Sequence, residues 1–182
     1  MTIETLAMQG HSAIRGSMAS SILGRIGDIR NQAIKECFRD FHCIEHRLEI
    51  VANIHGIEFI NDSMATNINS TWFALESMIH PVIWIAGGAG TKGDYHPLAD
   101  LAAEKVKAII WLGAPDEKFV SLFKHLDRPI TEARSMAEAV DLAYFMGKKG
   151  DVVLLSPACA SFGLFPDYEE RGKAFRQAVK NL

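Results

Sequence analysis

The sequence predicts an α/β fold built on an open, mostly parallel sheet flanked by helices. Short, continuous apolar runs alternate with helical segments from about residue 48 onwards, and loops of small or polar residues follow the runs. Helices between consecutive strands provide the crossover connections that parallel strands need. With 182 residues, the chain can bury one full domain and an accessory segment. We therefore expect a Rossmann-like sheet preceded by a short helical N-terminal extension.

Each predicted element has a local signal. The extension, up to about residue 40, has apolar residues at helical spacing and is divided into two helices by Gly24 and Gly27. Strands are expected, in chain order, at 48–52, 57–60, 82–86, 108–112, 130–133 and 152–155, the fifth of them at an edge. Helices are expected at 70–79, 97–106, 116–126 and 136–146, with a last helix after residue 167.

Turn and cap residues mark the helix ends. Ser70 is the expected N-cap of the first helix after the extension, and Pro97 suits the first turn of the next because that position needs no N–H donor. Gly147 ends the fourth, while Asp167 and Glu170 form a capping box for the last. The residues that this last helix is expected to bury are Phe175, Ala178, Val179 and Leu182.

The segment 151–172 is the expected centre of the fold. Its run 152–155 is entirely apolar, which predicts a fully buried central strand that ends at Ser156-Pro157. The small residues that follow, 158–161, let a ligand approach the backbone closely. Since ligands of open α/β sheets bind beyond the carboxyl ends of the strands, this loop is a candidate binding element.

Composition excludes several classes of function. A net charge of −3, with 23% charged and 48% hydrophobic residues, gives no basic surface for nucleic acid. No apolar run approaches membrane-spanning length and the N-terminus is no signal peptide, so we expect no membrane partner and a cytoplasmic location. Three cysteines without zinc-site spacing suit a reducing compartment. Cys159 is expected to be a small packed residue rather than a nucleophile.

Two further segments flank the candidate site. The loop 61–67 is polar, and its side chains can either bind a ligand or cap the next helix. Arg47 could pair with a phosphate, whereas His46 is expected to be a surface histidine. In the loop after the central strand, Ser161 can donate a hydrogen bond, and the N-terminus of the following helix favours an anion.

The glycine-rich loop 87–93 has two interpretations. Residues 88–93 match G-x-G-x-x-G, and Asp116 follows at roughly the distance of a ribose-binding acid, so a dinucleotide is one candidate ligand. That motif should open the first βαβ unit, however, and here at least two strands precede it. Lys92, beside exposed backbone N–H groups, could instead receive a carboxylate or a phosphate.

Four motifs together resemble a known family. They are His46-Arg47-Leu48-Glu49, then Asn61-Asp62-Ser63 with Ala65-Thr66-Asn67, then the glycine loop, then Ser156-Pro157-Ala158-Cys159-Ala160-Ser161-Phe162 with Glu170-Arg171-Gly172. In this combination they resemble the C-terminal part of the Mur ligases, and within that family the members that add D-glutamate. The resemblance covers nearly the whole chain. Residues 1–45 are similar to the last helices of the central ATPase domain, and 46–182 to the C-terminal α/β domain.

The resemblance implies part of an ATP-dependent ligase of peptidoglycan precursor synthesis. In such enzymes ATP phosphorylates the carboxylate of UDP-N-acetylmuramoyl-L-alanine, and the amine of D-glutamate attacks the acyl phosphate to form an amide. ATP and magnesium are the cofactors that this reaction implies. The positions that match those holding D-glutamate are Thr66, Lys92, Ser161, Phe162 and Tyr168. The positions that match contacts to ATP are Arg47, toward phosphate, and Asp62, toward ribose.

The chain also departs from the family pattern. It lacks the phosphate-cradling loop G-x-x-G-K-T-T and the stretch whose carbamylated lysine helps to hold magnesium, both of which belong to the central domain. Met64 replaces the lysine of NDSKATN, which removes a cation. We therefore expect no tightly bound cofactor and no catalysis by this chain without the N-terminal and central domains. The alternative is a diverged, non-catalytic module that binds a small anion or a dinucleotide.

Overall fold

A computed structural model of the protein describes residues 45–88, 94–114, 116–126 and 128–182. The predicted helical extension and residues 89–93 of the glycine loop lie outside the described residues. The strands are β1 (Glu49–Ile54), β2 (Ile57–Asn61), β3 (Val82–Gly87), β4 (Val106–Leu112), β5 (Ile130–Ala133) and β6 (Val152–Leu155). The α-helices are α1 (Ile68–Ser77), α2 (His96–Lys105), α3 (Glu117–Phe123), α4 (Met136–Met146) and α5 (Tyr168–Lys180), and a 3-10 turn, Lys124–Leu126, follows α3.

The described strands form one sheet in the order β1-β2-β6-β3-β4-β5. β1 pairs antiparallel with β2, and every other pair is parallel, which confirms the predicted mostly parallel sheet. All four residues of β6 are buried, and β6 lies between β2 and β3, as expected of the central strand. β5 is at the edge, as predicted.

Helices cover both faces of the sheet, because each face carries its own apolar cluster. One cluster joins residues of α1, α2 and α3 to strand residues such as Trp84 and Trp111. The other joins α4 and α5 to the opposite side of the same strands, with Phe59 and Phe175 among its members. Within the described ranges, no helix combines the length and apolar character needed to cross a membrane.

Two predicted details of the helices are wrong. Asn67 rather than Ser70 caps α1, since its side chain accepts a hydrogen bond from the Ser70 N–H at 2.9 Å. Asn and Ser are both favoured at N-caps. The helix begins at Ile68, earlier than expected, so Asn67 occupies the N-cap position. Leu182 is 39% exposed, because α5 ends at Lys180 and no longer carries the apolar face to the chain end.

Three loops leave the same edge of the sheet. The strands β2, β6 and β3 are adjacent and parallel, so the segments after Asn61, Leu155 and Gly87 begin side by side. Backbone pairing continues past the strand ends, where Asp62 N donates to Leu155 O at 2.8 Å and Gly87 N donates to Pro157 O at 3.0 Å. The three segments that the sequence singles out therefore start next to one another.

Candidate functional site

Asp62 lies directly after β2 and is almost completely buried, with 4% of its surface exposed. One carboxylate oxygen accepts from Leu48 N at 3.2 Å, and the other accepts from the Ser156 hydroxyl at 3.0 Å. Burial raises the pKa of Asp62 to about 7, although both hydrogen bonds and the positive charges of Arg47 and Arg171 act to lower it. The proton affinity of this carboxyl is thus set mainly by its removal from water.

Arg47 sits on a sharply bent segment beside that carboxyl. Its side chain is exposed, while His46 and Leu48 on either side have φ values of 65° and 47°, in the left-handed region. Non-glycine residues rarely adopt this region without support from their surroundings. The support comes from Asp62, which accepts from Leu48 N, and from Met64, whose N–H donates to His46 O at 2.9 Å. Asp62 therefore helps to hold the segment that carries Arg47, while their predicted contacts to ATP stay a prediction.

The prediction that His46 is a surface histidine is wrong. Its ring is buried, with 2% exposure, and its Nδ1 lies 2.9 Å from Asn61 Nδ2. This short contact joins the imidazole to the Asn61 amide, with the donor set by the tautomer of the ring. The space for the ring exists because Gly172 of α5 has no side chain; a Cβ there would lie 2.2 Å from His46 Nδ1.

Asn61 connects several segments of the site. Its two amide N–H groups donate to the carboxylate of Glu49 at 3.1 Å and to Gly172 O at 3.2 Å, and its carbonyl accepts from Ser63 N at 3.2 Å. The side chain is fully buried. The end of β2 is thereby fixed to β1, to α5 and to the bent segment that holds Arg47.

Substituting Gly172 by alanine should destabilise the protein by up to about 2 kcal/mol. The new methyl group would overlap the buried ring of His46, a cost of about 1–3 kcal/mol, against a gain of about 1 kcal/mol in helix propensity. Urea unfolding of Gly172→Ala measures the difference. In a His46→Ala background the same change should be neutral or stabilising, because the overlap is gone. Equal destabilisation in both backgrounds would contradict the proposed clash.

The loop 61–67 serves partly as a helix cap. Asn67 caps α1, so that side chain has a structural role, whereas Thr66 is half-buried just before it. Thr66 N donates to Met64 O at 2.8 Å, which turns the chain tightly there. The Met64 side chain is 41% exposed. The sequence left the ligand and cap interpretations open, and the structure assigns the cap to Asn67.

Ser161, Phe162 and Tyr168 lie along the loop between β6 and α5. Ser161 is buried, its carbonyl accepts from Phe165 N at 3.1 Å, and Phe162 next to it is 68% exposed. Tyr168 is half-buried as the first residue of α5, with its ring at an edge-to-face centroid distance of 6.5 Å from His46. Asp167 caps this helix by accepting from Glu170 N at 2.8 Å, as predicted, whereas the Glu170 carboxylate accepts from Lys173 at 2.7 Å rather than completing the capping box.

Arg171 belongs to a motif that the sequence singles out, but its buried structural role was not predicted. It is fully buried, and its guanidinium donates to Ser63 Oγ at 3.0 Å, to Ser63 O at 2.7 Å and to Cys159 O at 3.1 Å. One signal could have revealed it: Arg171 precedes the buried Phe175 and Ala178 at helical spacing, so it lies on the buried face of α5.

The glycine loop is described only at its start and after its end. Lys92 lies outside the described residues, so its predicted role remains a prediction. Gly88 has a φ of 152°, and a Cβ on it would lie 2.7 Å from the sulfur of Cys159, which is buried as expected of a packed residue. Asp116 caps α3, accepting from Lys118 N at 2.9 Å and from the Tyr95 hydroxyl at 3.3 Å. This gives Asp116 a structural role that needs no dinucleotide.

The described residues contain no group of three or more His, Cys, Asp or Glu side chains that could hold a metal ion. The polar side chains at the edge of the sheet suit a small molecule with carboxylate, amine or hydroxyl groups.

Comparisons with known proteins identify the family. The family model described as Mur ligase, glutamate ligase domain, matches residues 46–159, and the chain belongs to the Mur ligase family. Over all 182 residues it is 48% identical to the UDP-N-acetylmuramoylalanine–D-glutamate ligase of Christiangramia forsetii. The proteins of that name from Porphyromonas gingivalis and Bacteroides fragilis are 49% and 43% identical over the whole chain. The chain spans 40–41% of the length of these relatives.

Solved structures show the same fold at low sequence identity. The UDP-N-acetylmuramate-alanine ligase of Thermotoga maritima matches 94% of the chain with a TM-score of 0.66 and 13% identity, over 38% of its own length. A pseudomurein peptide ligase type C of Methanothermus fervidus matches 94% of the chain, and 36% of its own, with a TM-score of 0.65 and 15% identity. The predicted fold class and family resemblance are both confirmed.

Proposed function

We propose that the chain is the D-glutamate-binding, C-terminal part of an ATP-dependent ligase that joins D-glutamate to UDP-N-acetylmuramoyl-L-alanine in peptidoglycan precursor synthesis. The main support is the identity of 48% along the whole chain to a protein with that name. The geometry agrees, because the loops with the family motifs leave neighbouring strands at one edge of the sheet. We infer that residues 46–182 are the C-terminal domain and residues 1–45 the end of the central one.

In this proposal the acceptor half of the site holds the amino acid. Thr66, Ser161, Phe162 and Tyr168, with Lys92 from the glycine loop, surround D-glutamate. Hydroxyls and a cation are the groups that bind two carboxylates, and an exposed ring beside them restricts how the substrate lies. Their task is to hold the amine in line with the acyl phosphate, since proximity supplies much of the rate enhancement in such a transfer.

The nucleotide half of the site consists of Arg47 and Asp62. The exposed guanidinium of Arg47 is available to a phosphate, and its bent backbone is held by Asp62 through Leu48 N. Each oxygen of Asp62 already has one protein donor, and a carboxylate oxygen can accept a second, here from a ribose hydroxyl. ATP and magnesium would be bound mainly by the central domain, in the cytoplasm where this precursor is made.

Titration with D-glutamate tests the acceptor half directly. Millimolar D-glutamate should shift the amide NMR signals of Thr66, Ser161 and Tyr168, and L-glutamate should shift them less. Ser161→Ala should weaken the binding about tenfold, the cost of one hydrogen bond to a charged group. Ser121→Ala, which removes an exposed hydroxyl of α3, is the matched control. Unchanged spectra at saturating ligand would refute a preformed acceptor site in this chain.

A phosphate-release assay tests whether ATP turnover needs the N-terminal and central domains. The chain with ATP, magnesium, D-glutamate and UDP-N-acetylmuramoyl-L-alanine should release no phosphate, since it lacks the phosphate-cradling loop. Joining it to the first two domains of a relative should restore release. Turnover by the chain alone would show that it contains a nucleotide site of another kind.

A further inference from the structure

Ser63 lies in the chain between Asp62, in the nucleotide half of the proposed site, and Thr66, in its acceptor half, and is not itself a proposed ligand contact. Its side chain is completely buried. The hydroxyl donates to Tyr168 O at 2.7 Å and accepts from Arg171 Nε at 3.0 Å. One hydroxyl of the loop after β2 thus bonds to both ends of the first turn of α5.

Arg171 extends this connection to the loop after β6. The same guanidinium that bonds to Ser63 also donates to Cys159 O at 3.1 Å, two residues before Ser161. Hydrogen bonds from a charged donor are stronger than those between neutral groups, and burial shields them from competing water. Hydrogen bonds of Ser63 and Arg171 therefore connect the loop that contains Thr66 to the segment between β6 and the first turn of α5, which contains Ser161 and Tyr168.

We propose that Ser63 is a positioning residue of the acceptor site: it couples the loop 61–67 to the start of α5, so that Thr66 and Tyr168 keep one relative position. This inference rests on the proposed function for its ligand, D-glutamate, but the coupling itself is a property of the ligand-free chain. Without the hydroxyl, Arg171 keeps its bonds to Ser63 O and Cys159 O, while the bonds of the Ser63 side chain to Tyr168 O and to Arg171 Nε are lost. The two loops then move independently.

Amide hydrogen exchange of Ser63→Ala tests the coupling without any ligand. Amide exchange should become about tenfold faster, relative to the rest of the domain, at Ala65, Thr66 and Arg171. A tenfold change corresponds to the loss of about one hydrogen bond. The matched control is Ser77→Ala. Ser77 is also buried, and its hydroxyl donates to Ala74 O at the same distance of 2.7 Å, but within α1.

The control separates positioning from simple loss of stability. Uniformly faster exchange in Ser63→Ala, or the same loop response in Ser77→Ala, would overturn the inference. Binding gives the second readout: Ser63→Ala should bind D-glutamate about tenfold more weakly and discriminate less against L-glutamate, whereas Ser77→Ala should match the wild type. Wild-type affinity in Ser63→Ala also overturns it. If the wild type fails to bind D-glutamate, the preformed acceptor site of the proposed function is refuted, and exchange alone decides the coupling.

Discussion

Replacing Arg171 by methionine should lower the free energy of unfolding by about 4 kcal/mol, a large part of the stability of a domain of this size. Methionine fills much of the same space but cannot donate a hydrogen bond. The substitution leaves Ser63 O and Cys159 O buried without the donor they now have, at about 1–3 kcal/mol each, and removes the bond to Ser63 Oγ. Urea unfolding, monitored through the buried tryptophans, measures the change.

Lys173→Met is the control for the Arg171 prediction. It makes the same kind of change two residues later in α5, where the lysine pairs with Glu170 at the surface. Exposed pairs of this kind contribute little, so the unfolding midpoint should stay within experimental error. Arg171→Lys should fall between wild type and methionine, because an ammonium group can reach only some of the three acceptors. A wild-type midpoint for Arg171→Met would show that the buried guanidinium merely fills space.

The order of strands and helices could be predicted because it depends on local pattern. The continuous apolar run of β6 marks a strand buried on both faces, and the cap at Asp167 marks the start of α5. The place of β6 between β2 and β3 could not be predicted in this way, because it follows from long-range strand pairing that no local signal encodes. This strand order decides which loops begin next to one another. The resemblance to the family pointed to these loops as candidate binding elements, but it did not give the contacts that their residues make.

The burial of His46 and of Arg171 was not predicted, and both cases have the same physical cause: residues far away in sequence cover a polar side chain. His46 has the sequence surroundings of a surface residue, but it is covered because Gly172, on α5, leaves space for its ring. Arg171 is charged, yet its apolar neighbours Phe175 and Ala178 at helical spacing place it on the buried face of α5. Side chains of this kind are buried only when partners such as Asn61 are available.

The carboxyl of Asp62 should make the protein less stable as the pH rises. Its pKa is about 7 in the folded chain, against an ordinary value of 3.8. Between these two values the folded chain holds a proton that the unfolded chain has released, so the free energy of unfolding falls with increasing pH and levels off above the folded pKa. A shift of this size corresponds to at most about 4 kcal/mol between about pH 4 and pH 8.

Asp62→Asn should remove this pH dependence while keeping the local structure. The amide oxygen can accept from Leu48 N, and the amide nitrogen can donate to Ser156 Oγ, whose hydroxyl can turn toward Thr71 Oγ1 at 3.0 Å. Urea unfolding at about pH 5 and about pH 8 should therefore show a gain for the variant mainly at the higher pH. Asp141→Asn, which changes an exposed carboxyl of α4, should follow the wild-type profile. If Asp62→Asn also follows the wild-type pH profile, the Asp62 carboxyl is ionised in the folded chain throughout this range. The lowering of its pKa by Arg47 and the two hydrogen bonds would then exceed the rise caused by burial.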